Sequence, residues 1–481
     1  MKKHSSLTIF AFLLITIFMG SLFAPVGGLS AAPFKLPDPA KITCGELNFD
    51  PPRPFRFTLP NGLTVYIIEN HELPVVNMAL IVKAGTMYDP PGKEGLSELT
   101  SSVMRSGGTL KISPQTVDET LDYYAAIIEP GTGLEKTQWS VFALKKEFEN
   151  VLGIFSQLLR EPLFDEERLK LAKDLKSEEI RRIPDDPQNW AFKEFNRLLY
   201  QGNPRGRLPT LTTIKNIQKG DLVDCHRNHY APENMIMALS GDIRRVDAEK
   251  IIRGALGNWQ AKGRTAPVAA PFKSFTPAGY YLVKDTPQTI IVTGQPAPLK
   301  GSAAYYPFDV IDFVLGSGGF RSRIFQEVRT NRGLAYSTGS FYRARRDYGV
   351  FGAYAMTKSS SAPTTLQVIQ DIIRKVKQAG LSPEDIEGAK KAILNSFIFQ
   401  FSSPHQIVTQ QAALAFDNLP DDFLRQYRQR IALLTPAEIN LTAGNVLVPE
   451  DTITLILGGE AGYRQMREKY PDLKRIMVNY D

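Results

Sequence analysis

The feature that most constrains the fold of this chain is a repeated order of strand-like and helical segments, with a period of about 220 residues. An apolar, strand-like run at 235–239 ends in a Gly-containing turn at 240–242, and a similar run at 452–457 ends in one at 458–460. Each run closes a half that starts with strand-like alternation and continues with helical periodicity. Because strands and helices come in runs rather than in strict alternation, the pattern predicts an α+β fold with antiparallel sheets.

The spacing of the apolar residues locates individual elements. Asn61-Gly62 joins two β-rich runs and is a strong hairpin signal. Further strands are predicted at 75–82, 235–239, 280–283, 289–294, 337–342, 350–355 and 452–457. Helices are predicted at 94–105, 147–159, 166–183, 248–256, 306–315, 362–379, 383–401 and 436–447.

The N-terminus is typical of an export signal. Lys2 and Lys3 precede an apolar run at 7–24, and small residues follow it, so residues 1–32 are predicted to be a signal peptide. The run is also close to the ~18 residues that span a bilayer, so an uncleaved N-terminal anchor stays open. We expect an exported, periplasmic protein, with membrane anchoring as the alternative.

The rest of the chain divides into four predicted segments. A Pro-rich extended arm precedes the first domain, and a Pro- and Ala-rich linker separates the two domains. The predicted bounds are 33–54 for the arm, 55–260 for the N-terminal domain, 261–271 for the linker and 272–481 for the C-terminal domain.

Charge and cysteine content narrow the function classes. The formal net charge is +7, and the basic residues are scattered along the chain. This distribution, without an aromatic-interleaved basic stripe, argues against nucleic-acid binding. The two cysteines, Cys44 and Cys225, form neither a CxxC motif nor a metal cluster. In an oxidising compartment they could form a disulfide, and both the paired and the free state stay open.

The helix predicted at 94–105 carries a recognisable motif. The segment from Gly95 to Thr109 is GLSELTSSVMRSGGT. It resembles the inverzincin helix of the pitrilysin/insulinase zinc peptidases, where GLAHFLEH is followed by a short apolar run and Gly-Thr. In that family two histidines four residues apart bind zinc on one helix face. The glutamate before the second histidine is the general base.

This chain has none of those three residues at the matching positions. The first histidine is replaced by Glu98, the glutamate by Ser101 and the second histidine by Ser102. The family's third ligand is a glutamate on a later helix, and Glu179 matches it by spacing. A lone carboxylate does not hold zinc, so we expect Glu179 to be a solvated helix residue and the chain to bind no metal.

Two histidines at i and i+3, His226 and His229, are the other candidates for a metal site. They precede a Tyr-x-Pro-x-Asn turn that is structural in the family this chain resembles. We therefore expect them to serve packing rather than metal binding.

The strongest match to the family lies between Leu315 and Ser337. A Gly-rich turn, the run SRIFQEVRT and the run RGLAYS resemble the family's C-terminal signature. The resemblance assigns Arg329 and Tyr336 to the substrate carbonyl and the oxyanion in the active site of a facing chain. Both side chains donate hydrogen bonds that stabilise developing negative charge. The glycine loop is expected to contact the peptide substrate and consists of Gly316, Ser317, Gly318 and Gly319.

The resemblance covers nearly all of the chain between 55 and 459 and implies two tandem homologous domains, each an antiparallel sheet covered by helices. In several members of the family one subunit carries HxxEH, while another lacks it and supplies substrate-binding residues. We therefore expect a non-zinc, substrate-binding subunit of a heteromeric peptidase that acts on peptides. Zinc is expected in a partner chain that bears HxxEH. A homodimer is the other assembly that stays open.

Two further functions remain as alternatives. A catalytically inactive scaffold or peptide-binding protein, similar to the core subunits of the cytochrome bc1 complex, would bind without turnover. An autonomous peptidase with an unusual metal site would need ligands that the sequence does not show.

Overall fold

The hairpin predicted at Asn61-Gly62 starts the first of two six-stranded sheets in the computed structural model, which describes residues 49–261, 263 and 275–481. Gly62 has a φ of +93°, which favours glycine at this turn. The strands run in the order β1-β2-β6-β3-β5-β4 across the sheet. Their bounds are β1 Phe55–Thr58, β2 Thr64–Glu69, β3 Val75–Val82, β4 Ile127–Thr132, β5 Thr137–Leu144 and β6 Met235–Gly241.

The second sheet repeats the first. Its order is β12-β7-β11-β8-β10-β9, so five strands occupy the positions of their counterparts, and β12 takes the place of β1. Its strands are β7 Ala278–Val283, β8 Thr289–Pro296, β9 Ala335–Ala344, β10 Gly349–Thr357, β11 Ile453–Gly458 and β12 Lys474–Ile476. The repetition seen in the sequence is therefore a repetition of sheet topology.

Three strand pairs depart from the predicted antiparallel arrangement. β6 pairs with β2 in parallel, β11 pairs with β7 in parallel, and β12 also runs parallel to β7. The remaining pairs are antiparallel. Tight hairpins impose antiparallel pairing, whereas β6 and β11 return after long helical connections that leave either direction available.

Helices surround both sheets, and those predicted from periodicity are present. In the first half they are α1 Leu96–Ser106, α2 Pro114–Tyr123, α3 Phe148–Arg160, α4 Glu166–Arg181, α5 Pro187–Leu199, α6 Leu211–Asn216, α7 Lys219–His229 and α8 Arg245–Leu256. In the second half they are α9 Tyr305–Asp312, α10 Ala362–Ala379, α11 Pro383–Ser396, α12 Pro404–Phe416, α13 Phe423–Leu433, α14 Pro436–Val446 and α15 Glu460–Lys469. The predicted α+β fold, with two sheets covered by helices, is confirmed.

The helix predicted at 306–315 differs in detail. Regular α-helix ends at Asp312, and a wider π-type turn covers Phe313–Ser317. Gly316 lies so close to β9 that a Cβ atom there would be 2.2 Å from the backbone nitrogen of Ser340. The chain must widen its helical turn to make this approach, and only glycine fits there.

Each half lends one helix to the sheet of the other half. Helix α5 packs on β8 and β11 of the second sheet, and α12 packs on β2, β3 and β6 of the first. Phe195 of α5 is fully buried and lies against Gly294 of β8. Val408 and Ala412 of α12 are buried with Tyr66 of β2. The two halves therefore share their cores, and residues 49–481 form one compact unit.

The end of the chain also crosses to the first half. The Tyr480 hydroxyl donates a hydrogen bond to Glu194 Oε1 at 2.5 Å, and the Leu211 amide donates to the Tyr480 carbonyl at 2.6 Å. Glu194 is fully buried and pairs with Arg197 Nε at 2.5 Å. These contacts fasten the C-terminal residues to α5 and α6.

Several predictions fall outside the described residues: the signal peptide at 1–32, most of the arm at 33–54, most of the linker at 261–271, and Cys44. Cys225 is buried, and burial raises the pKa of its thiol to about 12. Both the pairing of Cys225 with Cys44 and the free state stay open, because Cys44 lies outside the described residues. Across the ranges 49–261 and 275–481, no helix has the length and apolar character needed to span a membrane.

Candidate functional site

The helix that carries Glu98, Ser101 and Ser102, α1, is held at its start by the carboxylate of Asp89. Asp89 accepts hydrogen bonds from the backbone amides of Gly95 at 2.8 Å and Ser97 at 2.9 Å, and from Ser97 Oγ at 2.5 Å. These bonds satisfy amides that the first helical turn leaves unpaired. Burial raises the pKa of Asp89 to about 6, although the hydrogen bonds from Ser97 and Gly95 oppose the shift. The anchor fixes α1 relative to the rest of the site.

A polar cleft of about 570 Å³ opens between α1, α4 and β4. All of its lining residues lie between 98 and 179, so it belongs to the first half alone. It contains Glu98, Ser101, Ser102 and Glu179, so the structure brings together all four residues that the resemblance aligns with the zinc-binding and base positions. Its other polar residues are Arg105, Ser106, Asp118, Glu129, Thr132 and Lys176.

The centre of this cleft holds the ammonium group of Lys176. Lys176 Nζ lies 2.6 Å from Glu98 Oε2 and 3.0 Å from Glu179 Oε2, so it bridges α1 and α4. Its side chain is only 13% exposed. Burial alone would lower the pKa of Lys176, but Glu98 and then Glu179 raise it above the ordinary lysine value. The lysine is therefore protonated throughout the neutral pH range.

Of the two serines that align with the motif, Ser101 is hydrogen-bonded and Ser102 is exposed. Ser101 is buried and its Oγ lies 3.0 Å from the Glu98 carbonyl and 2.8 Å from Thr132 Oγ1. Thr132 in turn contacts Thr137 Oγ1 at 2.8 Å, and Thr137 donates to the Ala84 carbonyl. Ser102 is exposed at the cleft. Ser101 thus fastens α1 to β4 through a chain of hydroxyl groups.

These side chains do not match the ligand sets of zinc sites. Zinc in proteins is held by histidine, cysteine and carboxylate groups in tetrahedral arrangements. Of the four aligned residues only Glu98 and Glu179 are of those types, and both pair with the ammonium of Lys176. The other two carboxylates of the cleft, Asp118 and Glu129, pair with Arg105. Within the described residues, no group of three or more His, Cys, Asp or Glu side chains is arranged to hold a metal ion. The expectation of a solvated Glu179 was incomplete, because this residue is 58% exposed yet paired with Lys176.

His226 and His229 occupy packing positions on α7. His226 Nε2 lies 2.8 Å from the Leu159 carbonyl, and its ring stacks on Tyr230 with centroids 5.4 Å apart. His229 packs against the ring of Tyr88 at 5.6 Å. Burial lowers the pKa of both histidines, so both are neutral in the folded protein at neutral pH.

Arg329, which is partly buried, and Tyr336, which is exposed, form a separate arrangement in the second half. Arg329 lies on a π-type turn at Phe325–Asn331, and Tyr336 is the second residue of the edge strand β9. The Arg329 guanidinium carbon is 5.0 Å from the ring centroid of Tyr336 and 4.9 Å from that of Phe325. Gly333, with a φ of +60°, allows the reversal that brings the two residues together.

The two aromatic rings hold the guanidinium by cation–π attraction and leave its N–H groups available. In the part of the chain that the structure describes, the Arg329 side chain and the Tyr336 hydroxyl have no hydrogen-bond or ion-pair partner. The Tyr336 residue is 73% exposed. The structure therefore presents two neighbouring donors to the outside of the molecule.

The glycine loop next to this pair is part buried and part exposed. Gly316 is buried against β9, whereas Ser317 and Gly319 are exposed. Gly318 packs on Phe313, since a Cβ atom there would lie 2.5 Å from the Phe313 carbonyl oxygen. Beyond the loop Phe320 is exposed and contacts the ring of Phe325 with centroids 4.9 Å apart.

A buried carboxyl group lies beneath the loop. Asp312 Oδ1 accepts a hydrogen bond from Ser340 Oγ at 2.5 Å, and Asp312 is 4% exposed. Burial raises the pKa of Asp312 to about 7, against opposing hydrogen bonds from Ser340 and Ser317. Unfolded aspartate has a pKa near ~3.9. Between these two pH values the folded protein holds a proton that the unfolded chain has released.

Asp312→Asn is therefore expected to change how stability depends on pH. The contribution of Asp312 to the free energy of unfolding falls as pH rises from about 4 through 7, whereas asparagine has no such dependence. The stability of the variant relative to wild type should rise by about 2–3 kcal/mol between pH 5 and 8.5. Urea unfolding at both pH values measures this. The control variant is Asp472→Asn, at an exposed aspartate. If the free energies of unfolding of wild type and Asp312→Asn differed by the same amount at both pH values, the assignment would be contradicted.

Sequence reasoning missed Lys176, Asp89 and Asp312. A signal for Lys176 was present, because a lysine three residues before Glu179 lies on the same helix face. Asp89 accepts hydrogen bonds from Gly95 and Ser97 at the start of the next helix, and Asp312 accepts one from Ser340 on β9. No periodic pattern in the sequence marks either aspartate.

Comparison with known proteins identifies the family of the chain. The profile of the insulinase (peptidase family M16) domain matches residues 64–212, and that of the peptidase M16 inactive domain matches residues 216–393. A protein described as an uncharacterized zinc protease of Rickettsia bellii is 26% identical over 347 residues, which cover 70% of this chain and 81% of the relative. A similarly described Bacillus subtilis protein, YmxG, is 24% identical over 350 residues, covering 72% of this chain and 84% of the relative.

Solved structures share the fold. A peptidase M16 inactive domain from Pseudomonas fluorescens superposes with a TM-score of 0.75 at 22% identity, covering 84% of this chain and 98% of that one. A protease from Helicobacter pylori gives a TM-score of 0.76 at 18% identity, covering 85% of this chain and 100% of its own. These likenesses show the fold, and the two profile matches, which together cover more than half of the chain, show that the chain belongs to the insulinase (M16) peptidase family.

Proposed function

We propose that this chain is the non-zinc, substrate-binding subunit of a heteromeric peptidase that acts on peptides. The observation that carries the proposal is the pair formed by Arg329 and Tyr336, whose donors are held in place and have no partner among the described residues of their own chain. A fully charged guanidinium and a phenol hydroxyl suit a substrate carbonyl oxygen on which negative charge develops. A second chain that bears HxxEH would supply the zinc and the general base.

The state of the first-half cleft supports this division of labour. Glu98 and Glu179 are engaged by Lys176, and Ser101 is engaged by Thr132. Each of these side chains already has a partner, so none is free to act as a general base on a substrate. The chain on its own is therefore proposed to be inactive towards peptides.

Likeness to known proteins agrees with the proposal at the level of the family. Residues 216–393 match a peptidase M16 domain described as inactive, and the chain superposes on a Pseudomonas fluorescens structure described in the same words. A periplasmic protease from Escherichia coli, PqqL, has a first half that superposes with a TM-score of 0.72. Export to the periplasm is part of the proposal for this chain.

The test is purification of the tagged chain from its native envelope fraction, followed by assays of the separated and recombined subunits. We expect a stoichiometric partner with an HxxEH motif. A fluorescence-quenched peptide should be cleaved by the recombined pair, not by this chain alone, and at least 100-fold more slowly by the partner alone. Recovery of a homo-oligomer that binds peptides without cleaving them would favour the scaffold or peptide-binding alternative instead.

A further inference from the structure

The cleft in the first half contains more than a set of missing zinc ligands. Two of the three positions that align with ligands still carry carboxylates, Glu98 and Glu179, and carboxylates can bind divalent cations. A chain that had only lost its histidines would retain a weak cation site at this point. The disposition of Lys176 argues against such a site.

Lys176 contacts the two carboxylates from a fixed position. It lies one helical turn before Glu179 on α4, and its Nζ is within 3.0 Å of one oxygen of each carboxylate. Burial of the side chain keeps the ammonium from moving freely into water. A protonated lysine has three donors and no acceptor, so it cannot serve as a metal ligand.

The charges in the cleft explain why the arrangement persists. One positive charge between two carboxylates compensates part of the repulsion between them. A dication entering the same space would meet the ammonium at contact distance, where the repulsion is strong and poorly screened. Arg105, which also lines the cleft, is engaged by Asp118 at 2.7 Å. Asp118 and Glu129 balance its positive charge, so Lys176 is the cation that faces Glu98 and Glu179.

We propose that the Lys176 ammonium is a built-in cation that takes the place of the metal in this cleft. It closes the cleft to zinc even when histidine ligands are restored. Glu98 and Glu179 are, on this view, the partners of the lysine and not remnants without a role. The inference concerns this chain alone and does not depend on the identity of a partner or a substrate.

The experiment restores the histidines with and without the lysine. We compare Glu98→His/Ser102→His with the same pair plus Lys176→Met. The matched control adds Lys170→Met instead, since Lys170 is an exposed lysine on the same helix. Zinc affinity is measured by competition with a chromophoric chelator, and cobalt absorption reports tetrahedral coordination. We expect the Lys176 variant to bind zinc at least 10-fold more tightly than the double variant and the Lys170 control.

Equal affinity of the double variant and the Lys176 triple variant would overturn the proposal, because the lysine would then simply move aside. Absence of zinc binding in a triple variant with wild-type circular dichroism would also overturn it. A second measurement avoids the engineered histidines. Zinc ions should raise the melting temperature of Lys176→Met, through the freed carboxylates, but not that of wild type or Lys170→Met. Equal stabilisation of all three proteins would contradict the inference.

Discussion

Arg329→Ala in the recombined pair is expected to lower kcat for peptide cleavage by about 10²–10³-fold, the usual loss for one oxyanion donor. The guanidinium lies between the rings of Phe325 and Tyr336 with its donors unused, so its removal should not disturb other bonds of the chain. Arg329→Lys should recover only part of the rate, because an ammonium cannot reproduce the flat, forked donor. Steady-state kinetics at saturating peptide measure the effect.

Nearby residues supply the controls for this prediction. Arg332 is three residues away and half exposed, but it already pairs with Glu327 Oε1 at 2.7 Å, so Arg332→Ala should leave kcat within about twofold. Tyr336→Phe removes a single hydroxyl and should also lower kcat, whereas Tyr123→Phe, at another exposed tyrosine, should not. If Arg329→Ala and Arg332→Ala had the same small effect, the role assigned to the pair would be wrong.

Phe195→Ala is expected to destabilise the protein by about 3–5 kcal/mol, since it removes a fully buried aromatic ring from a packed core. Phe195 belongs to the first half but packs on the second sheet, where its ring meets that of Phe341 with centroids 6.2 Å apart. The loss should therefore affect both halves in one transition. All three tryptophans, Trp139, Trp190 and Trp259, lie in the first half. Trp190 lies on α5, so tryptophan fluorescence reports the first half and the contact of α5 with the second, whereas far-ultraviolet circular dichroism reports the helices and strands of both.

The two signals should coincide during urea unfolding of wild type and of Phe195→Ala, with a lower midpoint for the variant. Phe399 is 74% exposed and provides the control, for which a change within about 0.5 kcal/mol is expected. Separate transitions for the two signals in the wild-type protein would show that the exchanged helices do not couple the halves.

Most of the regular elements could be predicted from the sequence because their signals are local. The strand predicted at 75–82 is β3 in full, and the helix predicted at 362–379 is α10 in full. The hairpin at Asn61-Gly62 follows from the turn preference of that dipeptide. The elements that were not predicted are the strands β4, β5 and β12 and the helices α2, α5, α6, α7, α12, α13 and α15. β4 holds Pro130 and Gly131, which weaken a strand signal.

Part of the candidate site could likewise be predicted from the sequence, and part of it is seen only in the structure. The motif at Gly95–Thr109 placed Glu98, Ser101 and Ser102 on one helix, and the structure confirms that helix as α1. The spacing of Arg329 and Tyr336 pointed to a pair, and the rings that hold the guanidinium are a finding of the structure. The role of Lys176 could not be predicted with assurance, because its partner on α1 is distant in the sequence and any exposed helix face carries lysines of similar spacing.

The sequence by itself determined most of the elements, the repetition of their order, and the absence of histidine at the positions that align with the family's zinc ligands, because each of these depends on residue type and short-range spacing. Only the tertiary structure decided three other features. These are the parallel return of β6 and β11, the exchange of α5 and α12 between the sheets, and the position of the Lys176 ammonium between two carboxylates. Each arises from contacts between segments far apart in the chain, where burial and charge compensation across the whole molecule select one arrangement.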